Sequence, residues 1–194
     1  MLMKHLMRLL VRVRQGREFL TDLNHTWNIW LFSFYFAGVC ISDILRMKYS
    51  DFQNDRLNCT MSKNLKAGLL KVPTKALGLI DQYKTDKRKH DPIFPELKVL
   101  DDLSDTYNVQ RKIAHAIKRL NTALAKIATR AGLTKPLKMH ISRHTFGSIS
   151  GERTPIQMLQ KLYRHSNITM TIGYRSNFIN KNADDALHAV LQME

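Results

Sequence analysis

The segment from Tyr107 to Ala131 constrains the fold more than any other. Val109, Ile113, Ala116, Ile117, Leu120, Leu124, Ile127 and Ala128 recur on one face at helical spacing, and Gly132 supplies the stop. So long an amphipathic helix must lay its apolar stripe on other elements. Thr26 to Met47 offers the partner: Trp27, Ile29, Trp30, Phe32, Phe34, Tyr35 and Phe36 read as a buried helix with Thr26 as its N-cap. Gly38 breaks it before a second helical stretch, Ser42 to Met47. Tyr49 to Phe52 reads as a short strand. Leu57 to Met61 and Leu69 to Val72 read as a hairpin turning around Lys66, Ala67 and Gly68 and closed by Pro73. A short helix over Ala76 to Tyr83 and a charged connection from Lys84 to Pro95 follow. The segment from His140 to Glu194 holds three or four further short helices, one starting at Pro155. The expected fold is mainly α with a small antiparallel three-stranded sheet, an α+β domain.

Several classes fall away. The 194 residues are 44% apolar and 24% charged, which excludes whole-chain disorder. The longest apolar run, Ile29 to Val39, is interrupted by Ser33 and too short to span a bilayer. Two cysteines, Cys40 and Cys59, make no disulfide scaffold, and no Cys/His spacing suggests zinc. The reading is a cytoplasmic protein from a reducing compartment, with no metal, no cofactor, no membrane and no small-molecule substrate.

Charge points to a polyanion. Lys and Arg number 31 against 16 Asp and Glu, a formal net charge of +15. Thr106 to Gly151 holds nine Lys/Arg and no acid; Met61 to His90 holds eight against Asp81 and Asp86. A basic surface kept for solubility would intersperse its signs, so stretches this one-sided favour phosphate. Met1 to Arg17 adds Lys4, Arg8, Arg12, Arg14 and Arg17 with no acid.

Lys63 in the hairpin, His140-Ile-Ser-Arg143-His144, His165 and Tyr174 then form a constellation. Singly each has a bland reading: a solvated lysine, a decorated helix face, a core tyrosine. Together in a basic chain they are the parts needed to break a phosphodiester without metal. A tyrosine oxygen attacks, cations cradle the phosphate, and a Lys or His returns a proton to the leaving oxygen.

At these residues the chain resembles a known family. His140-Ile-Ser-Arg143-His144-Thr145-Phe146 is similar to the H-x-x-R-H-T-F box of the tyrosine recombinases, the phage-integrase family. Arg164-His165-Ser166-Asn167-Ile168-Thr169-Met170-Thr171-Ile172-Gly173-Tyr174 resembles its G-H-S-x-I-x-T-T-x-x-Y run. Ala37 to Leu45 resembles its G-x-R-x-S-E/D-L-L segment and Lys48 to Phe52 its K-W-S-D-I strand. Met61-Ser62-Lys63 matches the hairpin carrying its catalytic lysine. The likeness runs from about residue 20 to about residue 190 in order and spacing.

The resemblance implies that Tyr174 attacks a DNA phosphate to give a 3′-phosphotyrosyl enzyme and a free 5′-hydroxyl. Arg143 holds the non-bridging oxygens. His140 accepts the Tyr174 proton or hydrogen-bonds the phosphate, His165 adds a hydrogen bond, and Lys63 protonates the departing oxygen, with Lys66 the alternative if the register differs. Asp43 is a supporting carboxylate; Lys66, His144 and Arg164 are DNA contacts. The implied partner is double-stranded DNA, bound as a homo-tetramer, with a monomer in its absence and a nucleoid location in a bacterium. The family's helical DNA-clamping domain does not fit in the first twenty residues, so residues 1–19 are expected as a basic lead-in and 20–194 as the catalytic domain.

Three departures stand out. Cys40 occupies the family's first arginine position, and a thiol cannot replace a bidentate cation. One lost transition-state donor costs about 10²- to 10³-fold in rate, so impaired activity is expected. Arg164 stands in place of Gly before His165, which shifts that histidine, and the chain is slightly short near Gly151. Rival readings are a catalytically silent DNA-binding relative, a type IB topoisomerase-like enzyme, and a helical DNA-binding regulator with incidental resemblance. In the family the last helix docks on a neighbouring subunit, and Asn182 to Met193, with Ala186, Leu187, Val190 and Leu191 on one side, has the amphipathic form for it.

Overall fold

The computed structural model describes residues 20–60, 67–84, 91–134, 136–150 and 153–174. Helix α1 (Leu20–Tyr35) is its axis. Ile29, Trp30, Phe32 and Phe36 are wholly buried, and Trp27 stacks on Trp30 with ring centroids 5.0 Å apart. A helix apolar on every side needs cover on every side, and it is packed by α5 (Thr106–Arg130) and α6 (Ile141–Ser150). Thr26 does not cap this helix. It lies inside it, 2% exposed. A threonine before an apolar run imitates a cap, but this one is enclosed with the core face on which it sits. Ser33, the polar break in the run, places its hydroxyl 2.7 Å from that of Ser142 and donates to Val39 O, tying α1 to α6 and to the bend after it.

Helix α2 (Ile41–Ile44) follows that bend, and Tyr49–Asp51 form one 3-10 turn where a strand was expected. The turn is set by Asp51, whose carboxylate accepts from the backbone N–H of Lys48. Strands β1 (Phe52–Gln53), β2 (Arg56–Thr60) and β3 (Ala67–Lys71) make a three-stranded antiparallel sheet in that order. Asn54 and Asp55, both at positive φ, form the two-residue turn joining β1 to β2. Between β2 and β3, Thr60 faces Ala67 and Cys59 faces Gly68. Ala67 and Gly68 therefore belong to the strand rather than the turn, and residues 61–66 join the strands.

Helix α3 (Thr74–Asp81) sits two residues earlier than its sequence pattern suggests, and α4 (Pro95–Lys98) begins at the last residue of the stretch read as a connection. Asp105 caps α5 by accepting from Asn108 N. The chain ends its described part with α7 (Ile156–Tyr163), started by Pro155, and α8 (Ile168–Ile172). The expected class, mainly helical with a small antiparallel sheet, is what the structure contains. Among the described residues no helix is long and apolar enough to cross a membrane. The N-terminal basic segment, and Asn182 to Met193, lie outside the described residues.

Candidate active site

Arg143 is the centre of the site. It sits in the first turn of α6, 8% exposed, at a place prepared by Gly38. Gly38 has φ 71°, and a Cβ there would meet the Arg143 Cα at 2.5 Å. Only glycine lets the bend after α1 touch the backbone of α6 in that conformation. The contact is used: Arg143 Nη1 donates to Gly38 O at 2.9 Å, and Nη2 donates to Tyr163 O at 2.9 Å. Nη2 also lies 2.9 Å from His165 Nε2. The guanidinium lies 4.0 Å from the Tyr163 ring centroid, and the Tyr163 hydroxyl donates to Arg143 O. Burial pushes the Tyr163 phenol well above its ordinary range, so it stays a donor.

His165 reaches Arg143 because the chain reverses at the end of α7. Arg164 takes the left-handed conformation, φ 54°, and His165 N–H donates to Gln160 O at 3.1 Å. A non-glycine residue there costs about 1–2 kcal/mol. Arg164 thus takes a conformation that glycine adopts without cost, so the arginine does not prevent the reversal. Since Arg143 can only donate, His165 Nε2 accepts and its Nδ1–H donates to Thr171 Oγ1, 3.0 Å away and wholly buried. This fixes the tautomer.

Tyr174 lies just beyond α8, half-buried, with its hydroxyl 3.4 Å from His140 Nε2. His140 precedes α6 instead of sharing a helical face with Arg143. His144 lies under the Tyr174 ring, centroids 4.5 Å apart and planes 30° from parallel, and His165 approaches at 5.6 Å. The Arg143 guanidinium is 5.7 Å from the same ring. Burial, the neighbouring His144 and Arg143 together hold the His140 imidazole below its ordinary value; burial and Arg143 do the same to His144. Both rings are thus neutral at neutral pH, and His140 can accept a proton from Tyr174.

The other expected residues fall in different places. Cys40 is exposed at the N-terminus of α2, its sulfur accepting from Ser42 Oγ. It stands two residues after Gly38, the carbonyl that holds Arg143, and none of the Arg143 hydrogen bonds above involves it. Asp43 is buried on α2 and lines a cleft of about 580 Å³ together with Asp51, Cys59 and Gly68. Arg164 is 7% exposed with its guanidinium on the sheet. Lys63, Lys66 and Gly151 lie outside the described residues. Among the described residues no cluster of three or more His, Cys, Asp or Glu suits a metal ion. Tyr163 carries no signal beyond being an aromatic residue beside Arg164-His165. Thr171 falls on a threonine of the run ending at Tyr174, but only its hydrogen bond to His165 shows what it does.

The chain matches the model of the phage integrase family over residues 22–181. Among solved structures it is similar to XerA recombinase, with a TM-score of 0.58 and 15% identity over 86% of this chain and 62% of that one. It is also similar to XerH site-specific recombinase, solved bound to a palindromic difH substrate as a post-cleavage complex. There the TM-score is 0.63 and the identity 16%, over 94% of this chain and 51% of that one. The chain thus spans less than two thirds of either protein's length. No curated protein matches it in sequence.

Proposed function

Because the chain belongs to the phage integrase family, the tyrosine recombinases, we propose that it cuts and rejoins double-stranded DNA through a 3′-phosphotyrosyl intermediate. The observation that carries this is the gathering of Arg143, His140, His165 and Tyr174, brought from three separate elements within hydrogen-bonding or ring-contact distance. Tyr174 loses its proton to His140 as its oxygen attacks phosphorus. Arg143 binds the non-bridging oxygens with the N–H groups not spent on Gly38 O, Tyr163 O and His165, so charge that develops on them meets a donor already in place. His165, accepting from Arg143, holds that guanidinium and reaches the phosphate only by giving up this contact. Lys63 hands a proton to the 5′ oxygen as the P–O bond breaks. The phosphotyrosine keeps the bond energy, so a second strand's 5′-hydroxyl reverses the step without ATP or metal. We take residues 20–194 as the catalytic domain, residues 1–19 as a basic lead-in, and the working form as a tetramer on DNA in the bacterial cytoplasm.

Cys40 supports a second reading, a relative that holds DNA and cuts it slowly or not at all. The site then lacks one guanidinium beside the phosphate. A nicked suicide DNA substrate separates the two, because the cut end diffuses away and the covalent protein–DNA adduct accumulates. The chain as it stands forms adduct slowly. Cys40→Arg raises the rate by at least about 10²-fold, the scale of one restored transition-state contact. Tyr174→Phe in that background abolishes it. Equal rates with and without Cys40→Arg refute the role given to this position, and adduct that survives Tyr174→Phe refutes the nucleophile.

A further inference from the structure

Arg164 sends its main chain and its side chain to different parts of the molecule. The main chain turns His165 back toward Arg143. The side chain runs to the sheet and is buried there. Its guanidinium lies across β3 so closely that a Cβ on Gly68 would sit 2.5 Å from Nε and 2.6 Å from Nη2. Nη2 donates to the sulfur of Cys59 on β2. Cys59 and Gly68 are paired residues of the two strands, one step from Thr60–Ala67, the last pair of the ladder among the described residues. Asp43 and Asp51 line a cleft with Cys59 and Gly68, and their charges and that of Arg164 all act on the Cys59 thiol.

We propose that Arg164 is a positioning residue, a clamp that fastens β2 and β3 to the end of α7 and so fixes the strand ends Thr60 and Ala67 relative to His165 and Arg143. A glycine at 164 makes the same turn with less strain but has nothing to grip the sheet. The left-handed arginine is kept in place by what its side chain holds. The clamp rests on the reading above in one respect: Lys63, in the segment joining those strand ends, is the residue whose proton delivery it serves. Gly68 is the counterpart of the clamp, since any side chain there displaces the guanidinium.

The test uses Arg164→Gly, Gly68→Ala and the double variant, each in the chain as it stands and with Cys40→Arg. Amide hydrogen exchange is read at residues 56–60 and 67–71. Adduct formation is read on nicked DNA with the ordinary 5′ oxygen and with a bridging 5′ sulfur, which leaves as thiolate without a proton. Arg164→Gly speeds exchange of both strands and slows adduct on the oxygen substrate at least about 10-fold, part of the 10²–10⁴ a positioned acid contributes. On the sulfur substrate it slows adduct by less than about 3-fold, because there is no proton left to misplace. Gly68→Ala alone has the same effects and adds nothing to Arg164→Gly, as contacting residues do. Unchanged exchange, equal slowing on both substrates, or additive variants overturn the clamp. Failure of the functional reading looks different: no adduct on either substrate in any variant, while the exchange measurement still decides whether Arg164 holds the strands.

Discussion

Gly38, Arg143 and Tyr163 form one unit in which a bend, a helix and a helix end meet at a single guanidinium. Gly38→Ala forces a Cβ into the Arg143 backbone at positive φ. It is expected to lower unfolding free energy by about 2–4 kcal/mol, read as a drop in denaturation midpoint at unchanged denaturant slope. Tyr163→Phe removes the hydroxyl that donates to Arg143 O and keeps the ring under the guanidinium. The loss is about 1–2 kcal/mol in stability, with adduct formation less affected than in Tyr163→Leu, which removes the ring as well. The neutral His140 carries a pH signature. With its imidazole held below the ordinary 6.5 by burial, His144 and Arg143, it remains a proton acceptor until the pH falls through that lowered value. The acid limb of the adduct-formation rate therefore has its midpoint below 6.5. His144→Phe keeps a ring against Tyr174 but removes one source of the shift, so the midpoint moves up toward 6.5; a midpoint that stays put assigns the shift to burial and Arg143 alone.

Between elements, a buried polar tie away from the site joins α1, α4 and α5. Glu96, 4% exposed, accepts from His25 Nε2 at 2.7 Å and from Arg119 Nη2 at 3.0 Å. Burial pushes its carboxyl up, but the His25 hydrogen bond and charge, with Arg119 beyond, pull it below its ordinary 4.5. The folded state thus holds its proton less tightly than the unfolded state. Its contribution to stability is full above about pH 4.5 and is lost as the pH falls through the lowered folded value. Glu96→Gln should reduce stability at pH 7 by about 1–3 kcal/mol and flatten the fall below pH 4.5; an acid limb unchanged by the substitution removes Glu96 as its source. The elements themselves were unequally legible. Helix α5 could be read because its stripe repeats over many turns, and Asp105 and Gly132 frame it. The start of α1 could not be read, because Thr26 satisfies the local pattern of a cap and only the enclosing core shows that it is interior. The β2–β3 turn was misplaced for a similar reason. Gly68 looks like a turn residue, but the feature that requires glycine is an arginine almost a hundred residues away. The Asn54-Asp55 turn was legible in principle, since two residues that tolerate positive φ sit between extended runs.

For the whole molecule the dominant fact is a net charge of +15. Association with DNA should release counterions, and the logarithm of the binding constant should fall with the logarithm of salt concentration at a slope steeper than about −3, since each neutralised phosphate contributes about −0.9. Binding that is insensitive to salt contradicts this charge-led picture. Legibility at this scale followed the chemistry: the motif residues that meet at Tyr174 were marked in the sequence, and Thr171 stood in the same run with no role attached to it, whereas Tyr163, which orients Arg143, was not marked. A side chain that acts only by position, as Tyr163 does, leaves no pattern of type or spacing. Cys40 is placed quite differently. It is solvent-exposed, its backbone has the extended angles open to any residue, and its side chain makes no capping bond. A longer residue there disturbs no packing. Either cysteine codon becomes an arginine codon by a single T-to-C transition at its first base. An arginine at this position therefore lies within reach of ordinary replication error, and a population selected for strand exchange has a one-step path toward it that no other part of the fold obstructs.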